Sequence, residues 1–583
     1  PTAADNVTIS AGNTVTVTAD TTCATLTFAT TGTAAVLNIN TGIRLTVTGA
    51  VTLDSPATDV LTNTLAVGAG RLDAGSVNIA GGSSARKGAL TISTGTVNCT
   101  GSLIFSGNGA NALLTFTGAG TLNIGGNFGP GGTLTPSTGT INFNGTSAQT
   151  ISGYTYNTVR INNAAGVKPD SALTVATLTI GNVTSSSLFS DSGFQITSTG
   201  TLNLTSGTFT LGSSGVATTF PAFASRTISA GTTVEYASGV AQTVSTTPSY
   251  VHLTFSGAGT RTTATGTVSV SGNWSTSGGT ATLNTNNSNV TVTGNVTGTG
   301  DITCGSGTIT LGGNWTNSGS FTKGTGTVTY NGGSAQSVAA LSYNNLILSG
   351  AGQKNAAGST VAVSGTLTNS SVFDLSGFTL TFGSAANTGG TVKFSGASNA
   401  LVIGTGTVEY SALAGGQTVT TGTYGTLKLD NTSGTNTAGG ALAATNLNTA
   451  AGGTLNMGTN ALSLSGTPTT LGIIRTQNTS GTPLPSSRTW GGTVQYDGSG
   501  AQTVVNGTYG ILNLNNSAGF SPSFVTVTTL NLQSGLYNIA NGIPTHIAAG
   551  GTLTSSGGTV SSSTGTLFFD GSLFSLGGND VDA

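Results

Sequence analysis

The chain has 583 residues, of which only 5% are Asp, Glu, Lys or Arg, and its formal net charge is −2. A soluble protein ordinarily carries roughly 25% charged residues, and 14 scattered Lys and Arg residues form no basic stripe for nucleic-acid binding. Intrinsic disorder is excluded as well, because disordered chains combine low hydrophobicity with high net charge, whereas this chain has a mean hydropathy of +0.17.

The beginning of the chain and its cysteines point to export. The first residues, Pro1-Thr-Ala-Ala-Asp-Asn6, contain no charged and apolar leader and are interpreted as a mature N-terminus. Cys23, Cys99 and Cys304 are too widely spaced for a disulfide framework or a zinc site, so each is expected to be a buried filler. No apolar run approaches the roughly 18–20 residues of a membrane span. We therefore expect an extracellular protein of the cell surface, with no membrane span, cofactor or metal.

Short runs of alternating apolar and polar residues extend along the whole chain. Examples in chain order are Val15-Thr-Val17, Leu122-Asn-Ile124, Val290-Thr-Val292 and Leu462-Ser-Leu464. This alternation predicts β-strands, and the Gly, Asn and Ser residues between the runs predict turns. Helical periodicity is absent, so the sequence predicts an all-β fold.

A Gly-Asn step followed by an apolar residue indicates the kind of all-β fold. It occurs at Gly126-Asn127-Phe128, Gly272-Asn273-Trp274, Gly294-Asn295-Val296 and Gly313-Asn314-Trp315. The last three Asn positions differ by 22 (295 − 273) and 19 (314 − 295). About twenty residues per unit predicts one coil of a parallel β-helix, or β-solenoid. Tandem β-sandwich domains of roughly immunoglobulin size are the alternative.

A longer phrase recurs five times, and its best copy reads Gly326-Thr-Val-Thr-Tyr330, Ala335-Gln-Ser-Val338 and Tyr343-Asn-Asn-Leu-Ile-Leu348. The glutamines that mark the copies are Gln149, Gln242, Gln336, Gln417 and Gln502. We interpret the chain as a single elongated solenoid, 1–583, with super-repeats of roughly 139–230, 231–325, 326–405, 406–491 and 492–583. The glutamines are expected to close a recurrent corner, and an exposed row of ligand-binding glutamines is the functional alternative.

Residues suited to catalysis are few. Glu235 and Glu409, the only glutamates, occupy the same slot of the phrase and are expected on outward strand positions. Of the two histidines, His252 and His546, the first also lies in a strand context, and no local pattern suggests a catalytic triad. No catalytic, cofactor-binding or metal-binding residue is assigned, and the chain is not expected to be an enzyme.

Three weaker possibilities remain open. A β-helix polysaccharide lyase or hydrolase would need clustered charges, for which Asp54/Asp59, Arg86-Lys87 and Lys168/Asp170 are the nearest candidates, each interpreted as a solvated corner. The single segment Gly577-Gly-Asn-Asp-Val-Asp582 resembles a calcium-binding repeat, which needs consecutive copies. Regularly spaced Thr hydroxyls would suit ice binding, although the Thr-x-Thr runs do not recur at a fixed coil position.

The repeats resemble the passenger-type β-solenoids of bacterial surface adhesins, such as filamentous haemagglutinin-like and autotransporter-like proteins. Two segments carry the likeness, Thr310-Leu-Gly-Gly-Asn-Trp-Thr-Asn-Ser-Gly-Ser-Phe-Thr322 and Gly326-Thr-Val-Thr-Tyr-Asn-Gly-Gly-Ser-Ala-Gln-Ser-Val338. The resemblance implies an extracellular, cell-associated rod and names no ligand.

The sequence also suggests a mode of assembly. Solenoid ends are usually blunted by a charged helical cap, and neither terminus reads as one, while Leu567-Phe-Phe-Asp-Gly-Ser-Leu-Phe-Ser-Leu576 is strongly apolar. The first hypothesis is therefore a homopolymer, in which solenoid ends stack head to tail into a surface filament or sheath. The alternative is a non-polymerising adhesin that binds glycans or neighbouring cells, and a polysaccharide-degrading enzyme is the third.

Overall fold

The computed structural model describes residues 1–184, 186–282, 288–358, 360–369, 371, 373–374, 379–382, 391–394, 401–402, 407–410, 412–539, 543–562 and 565–571. They form two compact units: Pro1–Thr303 with Asn317–Ser320, and Cys304–Thr316 with Phe321–Ala583. Regular structure in the described residues is almost entirely β, with one 3-10 turn at Gly109–Asn111. No helix among them is long and apolar enough to span a bilayer.

The strands of the first unit are β1 (Asn6–Ile9), β2 (Thr14–Val17), β3 (Thr21–Cys23), β4 (Thr25–Phe28), β5 (Val36–Ile39), β6 (Arg44–Leu53), β7 (Thr62–Val67), β8 (Arg71–Gly81), β9 (Lys87–Ile92), β10 (Thr96–Cys99), β11 (Leu103–Gly107), β12 (Ala112–Phe116), β13 (Thr121–Ile124), β14 (Thr133–Thr135), β15 (Thr140–Phe143), β16 (Gln149–Ile151), β17 (Thr155–Ile161), β18 (Val167–Pro169), β19 (Leu173–Ile180), β20 (Ser187–Ser190), β21 (Ile196–Thr197), β22 (Thr201–Leu204), β23 (Gly207–Leu211), β24 (Ser225–Ile228), β25 (Thr233–Tyr236), β26 (Gln242–Val244), β27 (Ser249–Tyr250), β28 (His252–Phe255), β29 (Arg261–Thr263), β30 (Thr267–Val270), β31 (Trp274–Thr276), β32 (Thr280–Thr282), β33 (Asn289–Val292), β34 (Val296–Gly298) and β35 (Asp301–Thr303).

The strands of the second unit are β36 (Thr308–Leu311), β37 (Phe321–Thr322), β38 (Thr327–Tyr330), β39 (Gln336–Ala339), β40 (Ser342–Tyr343), β41 (Asn345–Leu348), β42 (Lys354–Ala357), β43 (Thr360–Val363), β44 (Thr366–Asn369), β45 (Phe373–Asp374), β46 (Thr379–Phe382), β47 (Thr391–Phe394), β48 (Leu401–Val402), β49 (Thr407–Tyr410), β50 (Thr418–Val419), β51 (Gly422–Leu429), β52 (Thr435–Ala438), β53 (Leu442–Thr449), β54 (Thr454–Asn456), β55 (Leu462–Leu464), β56 (Thr469–Thr470), β57 (Ile473–Thr476), β58 (Arg488–Tyr496), β59 (Gln502–Val504), β60 (Gly507–Asn515), β61 (Phe520–Pro522), β62 (Val525–Ile539), β63 (Thr545–Ser555), β64 (Gly558–Ser562) and β65 (Leu567–Phe569).

Each unit is a parallel β-solenoid in which equivalent strands of successive coils pair side by side. The longest path in the first unit is β1-β4-β6-β8-β10-β13-β15-β17-β19-β22-β24, and the second unit contains β40-β43-β46-β49-β51-β53-β55. Asn6 of β1 faces Thr25 of β4, and Thr121 of β13 faces Thr140 of β15, both at an offset of 19 residues (25 − 6; 140 − 121).

The coils are about 20 residues long, as the Gly-Asn spacing predicted. The pairings within the described strands run parallel, for example β17 with β19 in the first unit and β58 with β60 in the second. Parallel pairing confirms the β-helix prediction. It also excludes the alternative of tandem sandwiches, whose neighbouring strands would be antiparallel. The super-repeat boundaries predicted from the sequence remain predictions.

Alternation along each strand sends one set of side chains inward. In β13, Leu122 and Ile124 are fully buried, while Thr121 and Asn123 point outward and are partly exposed. Fully burying a side chain of this size contributes about 1.5–3 kcal/mol. Thr suits the outward positions because its β-branch favours the extended backbone.

The Gly-Asn step is a corner at which one coil is tied to the next. The side-chain Oδ1 of Asn127, Asn273 and Asn314 accepts a backbone N–H from the following coil, at 2.8, 2.9 and 2.8 Å. Glycine is required beside it, since a Cβ on Gly294 would lie 2.4 Å from the Asn273 Oδ1 atom. The repeat that the sequence displayed is therefore a structural link between coils.

Candidate functional site

The five recurrent glutamines form the most distinctive polar site of the fold. Each is buried, with 2–3% of its surface exposed, so they cannot form an exposed row of ligand-binding side chains. Their Oε1 atoms accept backbone N–H groups four or five residues earlier, from Gly145 (2.9 Å), Ser238 (3.2 Å), Gly332 (2.6 Å), Ala412 (3.0 Å) and Gly498 (2.8 Å). The prediction that they close a corner is confirmed.

The other end of the glutamine amide reaches the preceding coil. Gln336 Nε2 donates to the carbonyl oxygens of Leu311 at 3.1 Å and Gly313 at 2.5 Å. Gln502 Nε2 donates in the same way to Thr476 and Asn478, both at 3.2 Å. One side chain therefore satisfies three backbone groups on two coils, in an interior where an unpaired polar group is costly.

A pair of hydrogen-bonded tyrosines lies beside four of the five glutamines. The hydroxyls of Tyr236 and Tyr250 are 2.7 Å apart, and those of Tyr330 and Tyr343 are 2.9 Å apart. The pairs Tyr410–Tyr424 and Tyr496–Tyr509 also bond to each other. Burial raises the pKa of Tyr330 to about 12, although hydrogen bonds from Tyr343 and Ala339 oppose the shift.

Each tyrosine pair forms hydrogen bonds to the backbone of the residue three positions after the glutamine. In the best copy, Tyr330 Oη accepts the N–H of Ala339 at 3.2 Å, and Tyr343 Oη donates to the carbonyl of Ala339 at 2.8 Å. We call the glutamine, its tyrosine pair and the backbone groups that they bind the polar corner. The remaining copy, which contains Gln149, carries Phe143 in place of the first tyrosine.

Replacement of Tyr330 by Phe is expected to leave the fold intact and lower the free energy of unfolding by about 1–2 kcal/mol, because the Ala339 N–H loses its acceptor. The natural Phe143 copy shows that the ring alone is compatible with this position. Urea denaturation of the variant measures the loss. The control is Thr329→Ser, at a half-buried outward position of β38. Tyr154→Phe in the first unit is unsuitable as a control, because Tyr154 Oη accepts the Gly132 N–H at 3.0 Å.

In four of the five copies, all but that of Gln417, the residue 14 or 15 positions after the glutamine distinguishes two kinds of polar corner. In one kind it is Asn: Asn163 Nδ2 donates to Ser147 O and Gln149 Oε1, both at 2.8 Å. Asn516 makes the equivalent bonds to Gly500 O at 2.6 Å and Gln502 Oε1 at 3.1 Å. In the other kind, the same position is Gly257 or Gly350, which has no side chain to donate.

Where glycine replaces asparagine, a buried cation enters the corner and donates to a different set of carbonyl oxygens. Arg261 and Lys354, each four residues after that glycine, are 0% exposed and pair in register with Gln242 and Gln336. Arg261 Nε donates to Tyr236 O at 3.0 Å and Nη2 to Ser238 O at 2.6 Å. Lys354 Nζ donates to Gly332 O at 3.1 Å and Gly352 O at 2.6 Å. The burial of both cations was not predicted from the sequence. The available signal was a glycine in place of the asparagine, followed by a cation four residues later.

Lys354 is expected to make stability depend on pH. Burial disfavours the charged amine and lowers its pKa, whereas in the unfolded chain the value is about 10.4. At pH values between the lowered pKa and about 10.4, the unfolded chain binds more protons than the folded protein does. Wild-type stability should therefore rise with pH across that range, relative to Lys354→Met. Urea denaturation from pH 7 to 10 measures the difference. Lys168→Met, at an exposed lysine, is the control, and parallel curves for wild type and Lys354→Met would contradict the expectation.

The two glutamates lie on outward strand positions, as predicted. Glu235 in the first unit accepts hydrogen bonds from Thr210 Oγ1 at 2.9 Å and Ser256 Oγ at 2.6 Å. Glu409 in the second unit pairs with Lys428 Nζ at 2.9 Å. Burial raises the pKa of Glu409, and the neighbouring Asp430 adds to this, whereas Lys428 opposes it. Both carboxylates belong to ladders of polar side chains across adjacent strands.

The histidines have different surroundings. His252 is a half-buried strand residue whose Nδ1 accepts the Asn273 N–H at 3.1 Å, which confirms the strand prediction. His546 stacks on the Phe568 ring at 4.6 Å between centroids, and its Nδ1 lies 3.3 Å from Asp570. That contact could not be predicted from the sequence, because residues 546 and 568 are brought together only by strand register.

The remaining candidates occupy structural positions. Arg86 lies 3.4 Å from Asp59, which is 63% exposed, and Lys168 and Asp170 are exposed. The three cysteines are buried and free, as expected of fillers, and burial raises the pKa of Cys99 to about 11. Within the described ranges no group of His, Cys, Asp and Glu could hold a metal ion. The segment 577–582 and the apolar residues 572–576 lie outside the described residues.

Comparison with known proteins finds no matching family model, no matching curated protein and no matching solved structure. The class of the protein therefore follows from its own geometry. The chain is a repeat protein of the β-solenoid class, built from parallel coils and recurrent polar corners.

Proposed function

We propose that this chain is a structural subunit of an extracellular surface filament or sheath. The observation that carries the proposal is the polar corner, which recurs five times and buries its glutamine and tyrosine side chains. Gln336, Tyr330 and Tyr343 are all buried and bond to the backbone or to one another. Such an arrangement supports a load-bearing coil stack, because it stabilises the coils without presenting chemistry to a ligand.

The surface supports the same proposal. Outward strand positions carry mostly Thr, Ser and Asn, and charged residues are only 5% of the chain. Asn123, Asn142 and Asn162 form part of a side-chain ladder with amide contacts of 2.7–2.8 Å on successive strands. Laddered amides with little charge are typical of assemblies in which identical strands stack. An exported solenoid of this kind also fits the shortage of charge and cysteine.

Head-to-tail joining is the mode of assembly that we propose for the subunits. Any solenoid coil without a neighbour exposes unpaired backbone N–H and C=O groups along its strands, and a second copy can pair with them. Because the two faces in such a contact differ, the association repeats without closing and produces a filament.

Negative-stain electron microscopy and sedimentation over a range of concentrations test the proposal. Wild type should form fibres of uniform width, and so should Gln353→Leu, which changes an exposed glutamine. Gln336→Leu, which breaks a polar corner, should abolish regular fibres. A wild-type chain that stays monomeric at every concentration would contradict the proposal. Glycan binding by that monomer would then favour the adhesin, and release of reducing ends from polysaccharides would favour the enzyme.

A further inference from the structure

Two arginines of the first unit form a matched pair on adjacent coils. Arg44 at the start of β6 and Arg71 at the start of β8 are partners in register, so their backbones are one strand spacing, about 4.8 Å, apart. Both direct Nε to the same carboxylate: Arg71 Nε lies 2.7 Å from Asp73 Oδ1, and Arg44 Nε bonds to Asp73 Oδ2. The shared acid holds the two guanidinium groups side by side.

The pair is positioned by a rigid support. Asn98 Nδ2 donates to Asp73 Oδ1 at 2.5 Å, and Asn98 in turn accepts from Asn123 at 2.7 Å, which starts the asparagine ladder. Burial raises the pKa of Asp73, but hydrogen bonds from Arg71, Asn98 and Arg44 outweigh that effect, and the pKa is lowered. Asp73 therefore stays ionised and keeps both arginines in place.

The outer edges of the two guanidinium groups have no partner among the residues that the structure describes. Arg44 and Arg71 side chains are 50% and 51% exposed, whereas Asp73 is 14% exposed. Each guanidinium has five N–H donors, and only Nε is used by a residue that the structure describes. The Nη atoms can therefore donate to an incoming oxyanion.

These arginines line a cleft of about 280 Å3. It lies beside an irregularity of the strand pairing, since the register of β6 against β8 shifts between Val47 and Ala50. Its other polar lining groups are Thr46, Thr48, Asp73, Asn98 and Thr100. Two guanidinium groups and one carboxylate give this lining one positive charge in excess. Asp20 Oδ1 accepts the Arg44 backbone N–H at 2.8 Å and is not part of the lining.

We propose that Arg44 and Arg71 bind a carboxylate or sulfate group of an acidic polysaccharide. A planar guanidinium matches the two oxygens of such a group, and two parallel guanidiniums can grip it from both sides. Threonine hydroxyls line the rest of the cleft and can bond to sugar hydroxyls. The site is a lateral one, so it goes beyond the structural role proposed above and does not depend on assembly.

Titration calorimetry at low salt with the full chain tests the site. The probes are an oligogalacturonate, a sulfated oligosaccharide of similar length and a neutral glucan oligosaccharide. Arg44→Gln and Arg71→Gln should each raise the Kd by about tenfold, because a charge-assisted bidentate contact is lost. Each single variant leaves Asp73 paired with the other arginine and Asn98, and thermal unfolding verifies that both fold. Arg160→Gln, at an exposed arginine of β17, is the matched control.

The outcomes separate clearly. The site is supported if an acidic probe binds wild type and if both arginine variants, but not the control, weaken that binding. The acidic probe that binds more tightly identifies the recognised group as a carboxylate or a sulfate. Added salt should weaken that binding, since the contact is exposed. Equal binding of the neutral glucan, an equal loss in Arg160→Gln, or no binding of any probe would overturn the proposal. A monomeric protein that still binds would refute the filament and leave this site standing.

Discussion

Replacement of Gln336 by Leu is expected to destabilise its coil by about 2–6 kcal/mol, which is the cost of leaving two backbone groups without partners. These two groups are the Gly332 N–H and the Gly313 carbonyl, and a third group, the Leu311 carbonyl, loses one donor but keeps the Asn331 N–H at 3.0 Å. Leucine has a similar volume and adds apolar contacts, but it cannot donate or accept. The loss should reach the preceding coil, because two of the three groups belong to it.

Native-state hydrogen exchange is the suitable measurement, since a repeat array opens locally and exchange assigns the loss to particular coils. Amides of residues 308–316 and 321–348 should lose protection, while amides of the first unit keep theirs. Gln353→Leu, at an exposed glutamine of the next coil, is the control and should leave protection unchanged. Equal effects of the two substitutions would show that the buried amide bonds contribute nothing.

Removal of the Arg261 side chain by Arg261→Ala is expected to cost about 3–5 kcal/mol, because a large buried group with several hydrogen bonds is deleted. Three carbonyl oxygens lose a side-chain donor, those of Tyr236, Ser238 and Gly259. The first two keep a backbone donor, the N–H groups of Ser256 and Gly259. The cavity and the lost hydrogen bonds act in the same direction.

Two further variants show whether geometry or charge is responsible. Arg261→Lys keeps the charge but has one nitrogen in place of three, so it should recover only part of the loss. Arg160→Ala, at an exposed arginine, should change stability by less than about 0.5 kcal/mol. Denaturation by urea or limited proteolysis of the first unit compares them. A wild-type-like Arg261→Ala would refute the interpretation that the buried cation stabilises the corner.

Much of the polar corner was predictable from the sequence. The recurrence of Gln336 and its counterparts at spacings of 81–94 residues predicted a common structural role. Burial and the bond to Gly332 confirm it. The tyrosine pairing was not predicted, because Tyr330 and Tyr343 are 13 residues apart and meet only when consecutive strands of a coil turn their side chains inward.

The buried cations and the arginine pair were missed for another reason. Arg261 and Lys354 read as ordinary surface charges, since lysine and arginine are rarely buried without a carboxylate. Arg44 and Arg71 are 27 residues apart (71 − 44), a separation longer than the average coil. The extra residues of that coil hide the partnership from any search based on a fixed period.

The sequence alone determined that this chain is all-β, parallel and coiled about every 20 residues. The features responsible are the alternation of apolar and polar residues, the glycine corners and the repeat spacing, which act through local backbone preference and inward burial. Strand register was decided only in the tertiary structure. Which side chains become neighbours depends on the length of each coil, and insertions of a few residues change it without disturbing the local pattern. The polar corners with their cations, and the arginine cleft, depend on that register.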